Sequence, residues 1–348
     1  DYPKDPAFKE RYGPRGVIKS FADGRIEDTG PLTRKRMETA DEEFLDLSLD
    51  FIDRAHKAGK PFFLWHCTTR MHIFTHLKKE SQGVTGEGIY ADGMVEHDGH
   101  VGQLLDKLDQ LGIADDTIVM GSTDNGAEVF SWPDGGMTPF HGEKNTNWEG
   151  GYRVPGMIRW PGKIKPGQVN NDVVSHEDWL PTLLAAAGDT DVKERLKQGA
   201  TIGDRKYKVH LDGYNLVPNL TGQAQEWPRK EFFYWNDGGG LVGLRYGPWK
   251  AVFMEQTAEG FDVWANPWDT LRVPKIFNLH RDPFEKAQHE SEYYRDWWFR
   301  RVYLLVPAQA YVGKFLKTFV EFPRRQEPDS FNLEKVMKQL ESAGNASR

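Results

Sequence analysis

The chain has 348 residues, with 45 Lys and Arg against 52 Asp and Glu for a formal net charge of −7; 38% of its residues are hydrophobic and 13% aromatic. A mildly acidic chain without a dominant basic block is a poor nucleic-acid binder, because neutralising phosphates takes clustered Lys and Arg. The mean hydropathy of −0.66 and the lack of any apolar run of the ~20 residues that span a bilayer exclude a transmembrane helix. Cys67 is the sole cysteine, which excludes an intrachain disulfide and a Cys-rich zinc site.

Residues 1–40 are rich in Pro, Gly and charge without periodicity and read as a surface excursion or linker. The chain opens DYPKDPAFKERYGP, without the basic and apolar regions of a signal peptide, and reads as the interior of something longer. Over 41–58 the apolar residues Phe44, Leu47, Phe51, Ile52 and Ala55 recur at the spacing of one helical face, with Thr39 or Asp41 as N-cap and Gly59 as the stop. Residues 61–66, PFFLWH, are a short continuous apolar run expected to form a strand covered on both faces, and polar TTRMH comes almost at once. A second helix is predicted over 92–111, with Met94, Val101, Leu104, Leu105, Leu108 and Leu111 on one side and Gly112 as its end.

TIVMG, residues 117–121, is a second β-branched run that again ends in polar residues, Ser122 to Asn125. Helix, strand, helix, strand in this order predicts an α/β fold with parallel β/α units, in which ligands gather at the carboxyl ends of strands. Residues 154–160 supply a third inner strand, and 177–187 a further helix with Pro181 inside its first turn and Gly188 closing it. Beyond Glu231 the runs EFFYW, LVGLRY and WKAVFM, separated by DGGG and by Gly247 with Pro248, predict an antiparallel meander, to which KIFNL adds a strand. An amphipathic segment over 292–319 and a final helix over 333–340 complete the chain. The expected division is an excursion over 1–40, an α/β domain over 41–224 and a smaller C-terminal α+β domain over 225–348.

Asp124 and Asn125 are adjacent oxygen donors at a predicted strand end, with Gly126 directly after them. A carboxylate plus an amide oxygen suits a hard cation such as calcium or magnesium. Taken alone, Asp-Asn-Gly is equally an Asx turn. His72, just past the PFFLWH run, could serve as acid, base or anion donor, and His76 four residues on would share its face if the segment were helical. By themselves both read as polar loop residues. Lys144, in the Gly-rich HGEKNTNWEGG, could reach an anion or simply face solvent. Cys67 reads as a small buried hydrophobe rather than a nucleophile, since no neighbouring His is placed to activate it. Trp132 and Trp148 could stack on a substrate ring or belong to the packing.

The order KPFFLWHCTTRMH, STDNGAE, GEKNTNWEGGYRVPGMIRWPGKIKPG and SHEDWLPTLLAAAG resembles the sulfatase (arylsulfatase-like) family of the alkaline-phosphatase superfamily, and GLRYGPWKAVF with IFNLHRDPFEKA resembles the strands of its C-terminal domain. The resemblance covers about residues 40–290. It implies an alkaline-phosphatase-like, mostly parallel sheet flanked by helices, with a smaller antiparallel C-terminal sheet. It also implies hydrolysis of a sulfate ester around one divalent cation, usually calcium with magnesium or manganese as alternatives, by a formylglycine nucleophile made from Cys or Ser.

Carried over by position, Asp124 and Asn125 match two metal ligands, His72 the histidine that contacts the sulfate or leaving-group oxygen, and Lys144 the sulfate-binding lysine. The family's nucleophile motif, Cys or Ser with Pro or Ala two places on and Arg four places on, is not found here: Cys67 is followed by Thr68, Thr69, Arg70 and Met71. The family's paired N-terminal aspartates, and the lysine and histidine after its nucleophile, are missing as well. The expectation is the C-terminal portion of a sulfatase whose companion N-terminal segment carries the formylglycine, with a sulfate-ester small molecule or carbohydrate as substrate. The resemblance also implies a periplasmic or secreted location. The alternatives are a phosphoester or phosphonate hydrolase of the same superfamily, or a non-catalytic sulfatase-like binding protein.

Overall fold

The computed structural model describes residues 5–7, 16–131 and 133–325, so the helix expected over 333–340 lies outside the described residues. Two compact units form: Asp1–Thr117 with Phe130–Gly136, and Ile118–Val129 with Met137–Arg348.

In the first unit the stretch read as an excursion carries an antiparallel hairpin, β1 (Gly16–Ser20) and β2 (Ile26–Pro31), with most of its residues exposed, and then a short helix α1 (Arg34–Met37). Arg36 ties the hairpin to the next helix, donating to the Thr29 and Gly30 carbonyls and pairing with Glu43 at 2.7 Å. Helices α2 (Ala40–Lys57) and α3 (Ile89–Gln110) form where periodicity placed them, and Gly59 and Gly112 lie just past their ends at φ +62° and +66°.

Their buried stripes are displaced from the apolar pattern. On α2 the buried residues are Ala40, Asp41, Leu45, Ser48 and Ile52, while Leu47 is exposed. The displacement tracks the polar partners: the Asp41 carboxylate accepts the Thr69 amide at 2.9 Å, and Ser48 meets the His66 ring at 2.9 Å. Buried polar groups are kept in place by such bonds, so they can draw a helix face toward themselves. On α3, Met94 is exposed, whereas Gly93 is buried where a Cβ would lie 2.3 Å from the Met71 sulfur.

The strand expected over 61–66 is extended but has no ladder partner among the described residues. Its even members Phe62, Leu64 and His66 are half-buried, and Phe62 meets Phe51 of α2 edge-on, but Phe63 is 68% and Trp65 79% exposed. Cover on one face only is the period-2 signature of extended chain, not of an inner strand. Cys67 shares the open side and is exposed, so it is not the small buried residue expected.

In the second unit β3 (Val119–Ser122) pairs with β4 (Gly156–Arg159) antiparallel, not in the parallel sense that the helix–strand alternation predicts, in a register that sets Ser122 opposite Gly156. Between them lie the loop that carries Lys144 and a single helical turn, α4 (Glu149–Tyr152). After β4 the 177–187 segment opens as a 3-10 turn under a capping box made by Ser175 and Asp178, then continues as α5 (Trp179–Ala186) with Pro181 in its first turn and Gly188 at φ +100° beyond it. Helix α6 (Val192–Gln198) and the hairpin β5 (Ala200–Ile202) with β6 (Arg205–Tyr207) form a small satellite core around Val192, Leu196 and Ala200.

The predicted meander is present: β7 (Glu231–Trp235), β8 (Leu241–Tyr246), β9 (Trp249–Glu255) and β10 (Asp269–Asn278) form a four-stranded antiparallel sheet in the order β10-β9-β8-β7. The amphipathic segment covers it through α7 (Leu305–Leu316), whose Phe315 stacks on Phe233 at 3.8 Å between ring centroids. Trp148 lies in the core of this unit with Val252, Phe277 and Leu279, so it is packing rather than a platform for a ligand ring; Trp132 lies outside the described residues. No helix among the described residues is long and apolar enough to cross a membrane.

Candidate functional site

Past Ser122 the chain turns through Thr123 and Asp124 to Asn125 and Gly126. Asp124 is exposed and Asn125 half-buried, and neither side chain bonds to another described residue. Gly126 is required by close approach: its amide donates to the Gly151 carbonyl at 2.9 Å, and a Cβ there would lie 1.8 Å from the Gly150 carbonyl oxygen. That contact locks the Asp124–Asn125 loop onto the start of α4. Just upstream of α4, the Lys144 amide donates to the Ala127 carbonyl at 3.1 Å, and the Lys144 Nζ lies 3.3 Å from Glu128 Oε1. The second unit therefore brings Asp124, Asn125 and Lys144 onto one pair of interlocked loops.

Two buried acids fix the geometry of these loops. The Glu143 carboxylate accepts the Val129 amide at 2.9 Å and the Gly260 amide at 2.6 Å, so the residue before Lys144 bolts its loop to two other segments. Asn145, in the left-handed region at φ +64°, donates its side-chain amide to the Val263 carbonyl at 2.9 Å. Glu149, at the head of α4, meets the Lys250 ammonium at 3.1 Å and accepts from the Tyr234 hydroxyl at 2.6 Å and from Arg153 at 2.7 Å. Burial pushes Glu149 up, but the Lys250 charge and those hydrogen bonds outweigh it and hold the carboxyl at about 2. The other side of Lys250 is taken by Glu285 at 2.7 Å, and Glu285 in turn accepts the Glu149 amide at 2.7 Å.

His141, in the same loop, stacks on Trp148 with ring centroids 4.3 Å apart. Burial first, with His289 and Lys250 adding, lowers it from the ordinary 6.5 to about 4. A histidine depressed in the fold binds fewer protons there than in the unfolded chain, so its contribution is complete above 6.5 and is lost as the pH falls toward 4. Denaturant unfolding should show stability falling across that window, and His141→Phe should flatten the fall; an unchanged slope in the variant would contradict the assignment.

His72 lies in the first unit, in the turn after the extended run. It is exposed, with its amide donating to the Thr69 carbonyl at 3.1 Å and to the Thr75 hydroxyl at 3.2 Å. The turn hangs from Arg70, whose buried guanidinium pairs with Glu96 at 2.6 Å and Asp41 at 3.6 Å. The segment from His72 to His76 is not helical, so the two do not share a helical face. Sequence reasoning missed the acids Glu128 and Glu143 and the aromatic Trp264, whose ring centroid lies 5.7 Å from the Lys144 ammonium. Nothing periodic marks them, and a charged residue in a loop reads as solvated.

Among the described residues no three His, Cys, Asp or Glu side chains converge to hold a metal ion. The Asp124 carboxylate and Asn125 amide nevertheless fit the implied cation in kind: adjacent hard oxygen donors, unclaimed by the other described residues, against the six to eight oxygens that calcium takes.

The family profile described as Sulfatase matches residues 3–189, more than half of the chain. N-acetylgalactosamine-6-sulfatase of Homo sapiens is 31% identical over 290 residues, covering 76% of this chain and 51% of that protein. Arylsulfatase A of Bos taurus is 30% identical over 254 residues, covering 70% and 47%. The chain belongs to the sulfatase family. It spans about half the length of the curated relatives it matches.

Among solved structures, the PsFucS1 sulfatase from Pseudoalteromonas sp. superposes with a TM-score of 0.73 at 26% identity, over 92% of this chain and 61% of that one. Ps i-CgsB in complex with k-i-k-neocarrahexaose has the same fold at a TM-score of 0.60 and 22% identity, over 97% of this chain and 66% of that one. The fold is thus the α/β, alkaline-phosphatase-like fold of the sulfatases, with the antiparallel sheet at its C-terminal end.

Proposed function

We propose that the protein carrying this chain hydrolyses sulfate esters of small molecules or carbohydrates, and that Asp124, Asn125, His72 and Lys144 are its contribution to the active site. The observation that carries the reading is the interlocking of two loops, one presenting two unclaimed oxygen donors and the other a lysine, at the carboxyl end of β3. The relatives named N-acetylgalactosamine-6-sulfatase and arylsulfatase A support a ring-bearing sulfate ester as substrate.

In this reading Asp124 and Asn125 hold a divalent cation, calcium first, which when bound would draw charge from the non-bridging sulfate oxygens. Lys144 offers its ammonium to the same oxygens, where negative charge builds in the transition state. His72, exposed on its turn, holds or gives a proton at the oxygen of the departing alcohol. The formylglycine nucleophile and the remaining oxygen ligands belong to a companion segment of the same protein outside these 348 residues. A secreted or periplasmic location is part of this reading.

The test is turnover of an aryl sulfate beside the matching aryl phosphate by the protein that carries this chain. Hydrolysis selective for the sulfate is expected. Selectivity for the phosphate would assign a phosphohydrolase instead, and binding without turnover of either would assign a non-catalytic sulfate-recognising protein.

A further inference from the structure

Trp264 closes a short 3-10 segment, Gly260–Trp264, that is stapled to the lysine loop on both sides of Lys144. The Gly260 amide donates to the Glu143 carboxylate at 2.6 Å, and the Val263 carbonyl accepts the Asn145 amide at 2.9 Å. Val263 is buried and anchors the segment, and its carbonyl is shared with the Gln256 side chain. The fold thus holds residues 260–264 rigidly against Glu143 and Asn145, and what it presents next to Lys144 is an indole.

That indole is only half covered. Trp264 remains 47% exposed, and its only aromatic or cationic neighbour among the described residues is the Lys144 ammonium, 5.7 Å from the ring centroid. The other tryptophan of this loop system, Trp148, is buried and surrounded by rings. A half-exposed tryptophan on a doubly pinned segment leaves a large apolar face open to water, and rigid aromatic area of this kind is what a ring-bearing ligand gains from most.

We propose that Trp264 is the platform on which the ring bearing the sulfate ester stacks, with Lys144 holding the sulfate beside it. The inference rests on reading Lys144 as the sulfate-binding lysine. It adds the residue that receives the ring of that ester: with the ester oxygen on, or one carbon from, a sugar or aryl ring, the apolar ring face meets the indole while the anion meets the ammonium. The Lys144 ammonium, held 3.3 Å from Glu128, lies over one face of the indole at its edge of the site.

The test uses the protein that carries this chain and four probes: 4-nitrophenyl sulfate, a monosaccharide 6-sulfate, an acyclic alkyl sulfate, and inorganic sulfate as a competitive inhibitor. Trp264→Ala should raise KM for the ring esters roughly ten-fold, with a smaller change in kcat, and should leave KM for the alkyl sulfate and inhibition by inorganic sulfate unaltered. Trp264→Phe should restore most of the loss. The larger change, for the sugar or for the aryl ester, tells which ring the platform serves. An unchanged KM for both ring esters would overturn the proposal, and so would a parallel loss for the alkyl ester and inorganic sulfate, which would make Trp264 a mere support for Lys144. If no sulfate ester is turned over, titration calorimetry with the monosaccharide sulfate separates the two readings. Binding that Trp264→Ala abolishes would keep the platform and discard the hydrolase, and no binding would discard both.

Discussion

Lys144→Ala is expected to lower kcat/KM for a sulfate ester by about 10²–10³-fold, the loss typical of removing one preorganised group that faces developing negative charge. The ammonium is placed for that duty by backbone rather than by side-chain chance. Its own amide is bonded to the Ala127 carbonyl at 3.1 Å, and the residues on either side of it are bonded to the 260–264 segment. Because those anchors belong to the main chain and to Glu143 and Asn145, truncating Lys144 leaves the loop intact, and the variant should unfold at the same denaturant concentration as the wild type. Lys144→Arg should recover only part of the loss, since a planar fork presents its charge in a different geometry from a compact ammonium. Steady-state kinetics with an unfolding curve checks this; a fall of less than about three-fold in kcat/KM would remove Lys144 from the site.

Lys250→Met is expected to cost about 3–5 kcal/mol of stability, because it breaks a buried ion pair from one side and leaves the facing charges uncompensated. Lys250 is buried, and its ammonium reaches Glu149 at 3.1 Å, Glu285 at 2.7 Å and the Asn147 carbonyl at 2.8 Å, with the Tyr234 ring 4.2 Å away. Methionine keeps the length of the side chain and removes its charge, so packing changes little and the electrostatic loss dominates. Glu285 would suffer most: burial, no longer opposed by Lys250, pushes its carboxyl up, whereas Glu149 retains Arg153 at 2.7 Å and Arg245 at 3.6 Å. Adding Glu285→Gln to the Lys250→Met variant should therefore return part of the loss, since neighbouring charges couple. Denaturant midpoints of the wild type, the single variant and the double variant measure both effects, and a single-variant loss below about 1 kcal/mol would show that the cluster does not hold the fold.

The sequence was most legible where local pattern and tertiary environment agree. The two long helices, their glycine stops and the C-terminal meander lie where periodicity and turn residues place them, because those segments carry their own register. Residues 61–66 show the limit: a run of apolar residues announces a strand, but a strand exists only with neighbours, and Phe63 and Trp65 stay open among the described residues. The helix faces drifted from the apolar stripe for a related reason, since Asp41 and Ser48 are buried against polar partners that no spacing rule can foresee.

At the candidate site, Asp124, Asn125 and Lys144 could be singled out by type and position. What holds them could not. Glu143, Glu149, Lys250 and Glu285 are charged residues far apart in the chain, and such residues read as solvated until the fold closes around them. Trp148 and Trp264 were indistinguishable as letters, and only burial tells the core residue from the exposed one beside Lys144.

The most direct measurement of the central claim is aryl sulfate turnover by the protein that carries this chain, tracked through chelation and the return of calcium, in the wild type and in the Asp124→Ala, Asn125→Ala double variant. Wild-type activity that falls on chelation and returns with calcium, set against a folded double variant that calcium does not restore, is the result expected if these two side chains hold the cation of a sulfatase. A double variant as active as the wild type would leave Asp-Asn-Gly as a turn and place the catalytic site elsewhere.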